Sequence, residues 1–136
     1  MGEAVASAAA HQLRDLGLLR RMVPEAATVV FLLQPYALLV DREPSPEEEE
    51  IFAALDLIQG EKWDPVREHI RESWGPYAAE LEAGCDAIGV PFLDMAKADL
   101  SGWCFVDRAH LTDRGYDAAA AILEEVLPGG DRGLAS

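Results

Sequence analysis

An acidic residue and a histidine stand three positions apart near the end of the chain, within the segment Phe105-Val106-Asp107-Arg108-Ala109-His110-Leu111-Thr112. A carboxylate at this spacing can hold one imidazole nitrogen by a hydrogen bond, which leaves the other nitrogen free to take a proton from a nucleophile. We therefore predict that Asp107 and His110 form a pair, with a carboxylate oxygen within roughly 3.5 Å of a ring nitrogen. The same spacing also fits a structural pair that only caps the following helix.

The residues after the pair predict the last helix. Thr112 is a good N-cap and Asp113 lies in the first turn, where the helix dipole favours an acid. The expected buried face of this helix consists of Tyr116, Ala120, Leu123 and Leu127. Pro128-Gly129-Gly130 should end the helix, and residues 129–136 are expected to form a flexible tail.

Two apolar runs predict the strands that position the pair. Ala27 to Leu33 is apolar without alternation, which is typical of a strand covered on both faces in a parallel sheet. Gly89 to Asp94 reads as a second short buried strand, with Asp94 at its end in a structural role. The carboxyl ends of such strands are where α/β folds place their chemistry.

Helical periodicity accounts for the rest of the chain. The first helix should end near Pro24, and Ser45-Pro46-Glu47-Glu48 forms a capping box that opens a second helix ending at Gly60. Asp64-Pro65 opens a third, with a kink or break expected at Gly75-Pro76. Its apolar stripe is Val66, Ile70, Trp74, Tyr77, Leu81 and Cys85. The predicted order is α-β-α-α-β-α, with the two strands parallel.

Composition excludes several classes of function. The 136 residues are half hydrophobic and carry a formal net charge of -14, which favours a packed domain and argues against nucleic acid or an anionic membrane as partner. The acidic run Glu47–Glu50 is interpreted as a solvated helix start. Cys85 and Cys104 have no metal-ligand spacing, and Cys85 is expected to be a buried thiol.

No cofactor and no targeting signal is predicted. Neither strand is followed by a Gly-rich phosphate loop, so a cofactor-binding protein is poorly supported, and we expect neither a cofactor nor a metal. The chain shows no signal-peptide core and no apolar run long enough to span a bilayer, which makes the cytoplasm the default expectation.

The block Asp107-x-x-His110-Leu111-Thr112-x-x-Gly115, taken with the two strands, resembles the C-terminal half of an SGNH (GDSL-type) hydrolase. The resemblance covers residues 5–127 and assigns residues 1–128 to that half-domain. It implies a partial three-layer α/β/α (flavodoxin-like) sandwich that is helix-rich and has few parallel strands. It also implies that His110 is the general base and Asp107 the residue that orients it. The substrate class would be small-molecule esters.

The chain departs from that family at the nucleophile. It contains no Gly-Asp-Ser block and no Asn, so the family's nucleophile and oxyanion donors are missing. Its serines are Ser7, Ser45, Ser73, Ser101 and Ser136, and Ser101, although near the pair in sequence, lacks a strand-to-helix elbow. We therefore expect a fragment, a split part or an inactive relative, completed by an N-terminal half or forming a homodimer. The alternative is a non-catalytic interaction module of α/β fold whose exposed sheet edge needs a partner.

Overall fold

The computed structural model of the chain describes residues 2–127, and its elements follow the predicted order. The expected tail at residues 129–136 lies outside the described residues. Short 3-10 turns occur at Ala37–Leu39, Gly60–Trp63 and Met95–Lys97. The helices and strands are α1 (Gly2–Met22), β1 (Phe31–Leu33), α2 (Pro46–Gln59), α3 (Asp64–Ala87), β2 (Phe92–Asp94) and α4 (Asp113–Val126).

The two strands form a parallel pair, as predicted. Phe31 lies opposite Phe92 and Leu33 opposite Asp94, and the two phenyl rings stack with their centroids 5.9 Å apart. Both strands are shorter than their apolar runs, because only three residues of each find a partner in the described sheet. Most of the β1 run is half-buried rather than covered on both faces. The fold is a helix-rich α/β fold with a small two-stranded parallel sheet.

The described residues cluster into two compact units. The first contains residues 2–34 and Glu61–Asp94, and therefore α1, α3 and the sheet. Its core joins α1 to α3: Ala9 packs near Leu81, and Leu16 near Cys85. Gly84 allows this approach, because a Cβ at that position would overlap the Leu13 side chain.

Helix α3 runs without a break from Asp64 to Ala87, with Pro76 inside it. A break at Gly75-Pro76 is therefore wrong, and the alternative of a kink there stays a prediction. Proline removes one helical hydrogen bond, but packing can outweigh that loss. Trp74, Tyr77 and Ala78, which surround the proline, belong to or pack against the core cluster of the first unit. The N-terminal part of the predicted stripe is less buried, and Val66 is exposed.

The second unit contains Pro35–Gly60 and residues 95–127, and therefore α2 and α4. The Ser45 capping box is present, and the chain leaves α2 at Gly60 with a φ of 63°. Thr112 caps α4 as predicted, since its side chain accepts a hydrogen bond from the Gly115 N–H.

The predicted buried face of α4 is wrong at three of its four residues, and the fourth, Leu123, is half-buried. Tyr116, Ala120 and Leu127 are exposed, whereas Gly115 and Ala119 are buried. Gly115 decides the orientation, because a Cβ there would collide with the carbonyl oxygen of Cys104. The helix therefore turns its glycine face inward, and the neighbouring Tyr116 points to solvent.

An open groove lies within the first unit, between α1 and β1. Its volume is about 500 Å³, and it is lined by Gln12, Asp15, Leu16, Leu19, Val30, Phe31 and Leu32. β1 has β2 on one side and no strand of the described residues on the other. The groove therefore runs along a free strand edge with apolar side chains beside it.

Leu81→Ala should lower the free energy of unfolding by about 3 kcal/mol, because Leu81 is fully buried between α1, α3 and the sheet and its loss leaves a cavity. The matched control is Leu57→Ala in α2, where the side chain is 88% exposed and the cost should stay within about 0.5 kcal/mol. Urea unfolding measures both. Equal costs for the two variants would contradict the core described above.

Candidate functional site

The predicted contact between Asp107 and His110 is confirmed. Asp107 Oδ2 lies 2.7 Å from His110 Nδ1, inside the expected distance. The catalytic roles of the two residues stay predictions. Both lie in the second unit, on the loop that leads into α4.

Backbone groups of the same loop also bind the Asp107 carboxylate. Its second oxygen, Oδ1, accepts hydrogen bonds from the backbone N–H groups of Ala109 and His110, each at 2.7 Å. Partial burial by itself raises the pKa of Asp107, but these backbone bonds and the His110 ring outweigh it, so the pKa lies below its ordinary value. The carboxylate is therefore ionised at neutral pH and can only accept hydrogen bonds.

An ionised Asp107 determines which nitrogen of a neutral His110 carries the proton. Nδ1 must donate to Oδ2, and Nε2 is left as the acceptor. The His110 side chain is 69% exposed, and Nε2 has no hydrogen-bond partner among residues 2–127. Such an imidazole can accept a proton from a group that approaches from solvent.

A short antiparallel bridge holds the two ends of the loop together. Phe105 pairs with Leu111, the Val106 N–H donates to the His110 carbonyl at 3.0 Å, and the Thr112 N–H donates to the Cys104 carbonyl at 2.8 Å. The Thr112 hydroxyl also donates to the Trp103 carbonyl. The bridge places the pair directly before the N-terminus of α4.

Glu48 is the functional candidate that the sequence interpretation missed. The run Glu47–Glu50 was expected to be solvated, but Glu48 is only 1% exposed. Its Oε1 accepts hydrogen bonds from the backbone N–H groups of Cys104 and Phe105, both at 2.9 Å. The Arg42 guanidinium binds both carboxylate oxygens at 2.7 Å, and the Ser45 N–H completes the set at 2.9 Å.

The capping box was the only sequence signal that set Glu48 apart from its neighbours. Its position three residues after Ser45 turns its side chain back toward the start of the helix. The partners Cys104 and Phe105 are more than 50 positions away, so no local pattern could find them.

The contacts of Glu48 keep it charged in spite of its burial. Burial by itself raises the pKa of Glu48, but the hydrogen bonds from Arg42 and the three backbone N–H groups bring it below the ordinary value. The pKa of Arg42 is raised, chiefly by its hydrogen bonds to Glu48. The two residues therefore form an ion pair at neutral pH.

Arg108, inside the loop, is anchored separately. Its guanidinium binds both carboxylate oxygens of Asp56, at 2.9 and 2.8 Å, and lies 4.7 Å from the centre of the Phe52 ring. Its carbonyl accepts a hydrogen bond from the Ala37 N–H at 2.9 Å. Arg108 lies between Asp107 and His110 in the sequence, so its contacts hold this part of the loop against α2.

None of the serines among residues 2–127 donates a hydrogen bond to the His110 ring. Ser45 caps α2, and the Ser73 hydroxyl donates to the His69 carbonyl within α3. Ser101 contributes its carbonyl, which accepts hydrogen bonds from the Cys104 thiol and from Arg114 Nε. No serine among residues 2–127 is therefore a hydrogen-bond partner of the His110 ring, and the absence of a nucleophile from the chain stays a prediction.

The remaining candidate residues have structural surroundings. Cys85 and Cys104 are both buried, and burial raises the pKa of each thiol. Trp103 donates its ring N–H to the Phe105 carbonyl at 2.9 Å. Within residues 2–127 no His, Cys, Asp and Glu side chains form a group that could hold a metal ion.

No helix within residues 2–127 has both the length and the apolar character required to cross a bilayer. Comparison with known proteins gives no family: no family model matches the chain. No curated protein matches it either.

Glu48→Gln should lower the free energy of unfolding by about 3 kcal/mol at neutral pH, because it leaves the part-buried Arg42 without its charged partner. This loss should shrink in acid. The pKa of Glu48 is lower in the folded chain than in the unfolded one, so the wild type loses this stabilisation as the pH falls below the ordinary value of about 4.3 and through the folded-state value. Urea unfolding over a pH series measures the difference.

Glu50→Gln is the matched control, since Glu50 is an exposed residue of the same helix. Its cost should stay within about 0.5 kcal/mol. If Glu48→Gln were as stable as this control at neutral pH, or if the difference did not change with pH, the ion pair would not have the role described.

Proposed function

We propose that the chain is the C-terminal half of an SGNH-type acyl hydrolase, with Asp107 and His110 as the orienting acid and the general base. In this proposal the two-stranded sheet is part of a larger parallel sheet in a three-layer α/β/α sandwich. The reaction is the hydrolysis of an ester or similar acyl bond, and the nucleophile comes from outside the described residues.

The observation that carries the proposal is the hydrogen bond between Asp107 and the exposed His110 side chain, whose Nε2 has no partner among residues 2–127. A nucleophilic hydroxyl placed at Nε2 would give up its proton to the ring as it attacks the acyl carbon. Asp107 would hold the ring in the required tautomer and stabilise the imidazolium that forms. His110 would then return the proton to the leaving group.

The helix cap gives a second argument, which is directed against a pair that only caps α4. If Asp107 and His110 served only to cap α4, their side chains would bind its first N–H groups. Thr112 fulfils this function instead, through the Gly115 N–H. The two oxygens of Asp107 accept hydrogen bonds from its own loop and from the imidazole, which favours a role in orienting the ring.

The isolated chain should hydrolyse short acyl esters no faster than its His110→Ala variant, because it lacks a nucleophile beside His110. Addition of an N-terminal half with a Gly-Asp-Ser block, from the coding sequence before Met1 or a neighbouring gene, should produce hydrolysis. In that complex His110→Ala should lower kcat on the order of 10³-fold or more, because the general base is lost. Steady-state kinetics with a chromogenic ester measures both effects.

His69→Ala is the matched control, because His69 is an exposed histidine of α3 and should leave kcat unchanged. Complex-dependent hydrolysis that survived His110→Ala would refute the proposed roles. Turnover by the isolated chain that disappeared in Ser101→Ala would instead identify Ser101 as the nucleophile.

A second candidate function, a non-catalytic interaction module, is favoured by the groove along the free edge of β1. The edge offers backbone groups to an added strand, and Leu16, Leu19 and Leu32 lie beside it. Free strand edges next to apolar surface favour pairing with another chain. This candidate needs no nucleophile, and its partner would be a second copy or a complementary fragment.

The isolated protein should self-associate through this edge, and Leu19→Arg should weaken the association about tenfold or more. Leu19 is half exposed at the groove, where an arginine would have to lose water when the partner binds. Light scattering over a concentration series measures the change. Leu57→Arg in α2 is the control, and it should have no effect because Leu57 does not line the groove. A monomer at high concentration with sharp cooperative melting would contradict this prediction.

A further inference from the structure

We propose that Glu48 is a positioning residue for the Asp107–His110 pair. Its buried carboxylate fixes the backbone from which the loop of the pair starts, and so sets the geometry between the acid and the imidazole. The inference rests on the proposed function, because the exact tautomer of His110 matters when the ring transfers protons.

The first step is the contact between Glu48 and the segment before the loop. Two consecutive backbone N–H groups, those of Cys104 and Phe105, converge on the single oxygen Oε1. The carboxylate that receives them is itself held by Arg42 and the Ser45 N–H. Charged hydrogen bonds of this kind are stronger than neutral ones, so the segment has a fixed anchor.

The second step is the bridge. Cys104 and Phe105, held by Glu48, form one side of the ladder whose other side carries His110, Leu111 and Thr112. The Val106 N–H donates to the His110 carbonyl, so the backbone of His110 is one hydrogen bond away from the anchored segment. A movement of the segment therefore moves the histidine as well.

The third step is the length of the connection. Only Val106 separates Phe105 from Asp107, so the start of the loop has little freedom to compensate. Misplacement of catalytic groups by about 1 Å can cost 100-fold in rate. The separate anchor at Arg108 keeps the loop near α2, so loss of Glu48 should loosen the pair without dispersing it.

The test measures the tautomer of the His110 ring by ¹⁵N NMR at about pH 9, where imidazoles are neutral. In the wild type the ring should carry its proton mainly on Nδ1, which faces Asp107. Glu48→Gln should lower the ratio of Nδ1–H to Nε2–H about fivefold, the size of a coupling between groups in one hydrogen-bond network. Loss of stability alone would not move this ratio in the folded molecules.

Glu48→Asp provides a second variant if Glu48→Gln does not fold. It keeps the negative charge for Arg42 but draws the carboxylate back by one methylene, away from Cys104 and Phe105, and it should lower the ratio in the same direction. Glu50→Gln is the matched control and should leave the ratio unchanged. Asp107→Asn serves as the reference for full loss of orientation.

The outcomes separate this inference from the proposed function. An unchanged ratio in a folded Glu48 variant overturns the positioning role, even if His110→Ala abolishes hydrolysis by the completed enzyme. A changed ratio together with hydrolysis that does not need His110 supports the positioning role and refutes the proposed function. A changed ratio together with His110-dependent hydrolysis supports both.

Discussion

The carboxylate of Glu48 accepts five hydrogen bonds, two from Arg42 and one each from the N–H groups of Ser45, Cys104 and Phe105. A buried charge is costly unless it is paired and its remaining hydrogen-bonding capacity is used, and here both conditions are met. The same group starts α2, binds the loop before it and holds the segment that leads to the candidate site. The second unit is therefore organised around an ion pair rather than around an apolar core alone.

In the candidate site, neighbouring side chains make different contacts. Asp107 uses one oxygen to close its own loop and the other to orient the imidazole. Thr112 caps α4 by accepting the Gly115 N–H, and Arg108 binds Asp56 of α2. Thr112 and Arg108 therefore meet backbone requirements that the pair does not have to meet, and Nε2 of His110 has no hydrogen-bond partner among residues 2–127. This is the physical basis for proposing a general base here.

The first unit is held together by apolar contacts between helices. Its helices α1 and α3 share a tight apolar contact at Leu81 and Gly84, but its sheet contains only two short strands. A parallel pair of three residues per strand contributes little stability by itself, so the helices hold this unit together. The groove beside β1 is the place where a further strand could add both backbone hydrogen bonds and apolar contact.

Local sequence patterns were sufficient for the order of the elements and for several short-range contacts, although the face that α4 buries was not among them. They predicted the order of elements, the Ser45 and Thr112 caps, the parallel pair and the contact between Asp107 and His110, because these interactions span only three or four positions or follow from helical and strand periodicity. The proposed hydrolase activity came from the same block of residues, and it stays a prediction.

Only the tertiary structure decided the features that depend on distant residues. The Cys104 carbonyl oxygen leaves no room for a Cβ, so the helix packs against it with Gly115 inward and Tyr116 exposed. The residues around Pro76 pack in the core, and α3 is continuous there. Most of all, the N–H groups of Cys104 and Phe105 made Glu48 a buried anchor although its neighbours in the acidic run are exposed. Sequence alone could not distinguish these acids, because the partner that desolvates one of them lies more than 50 residues away.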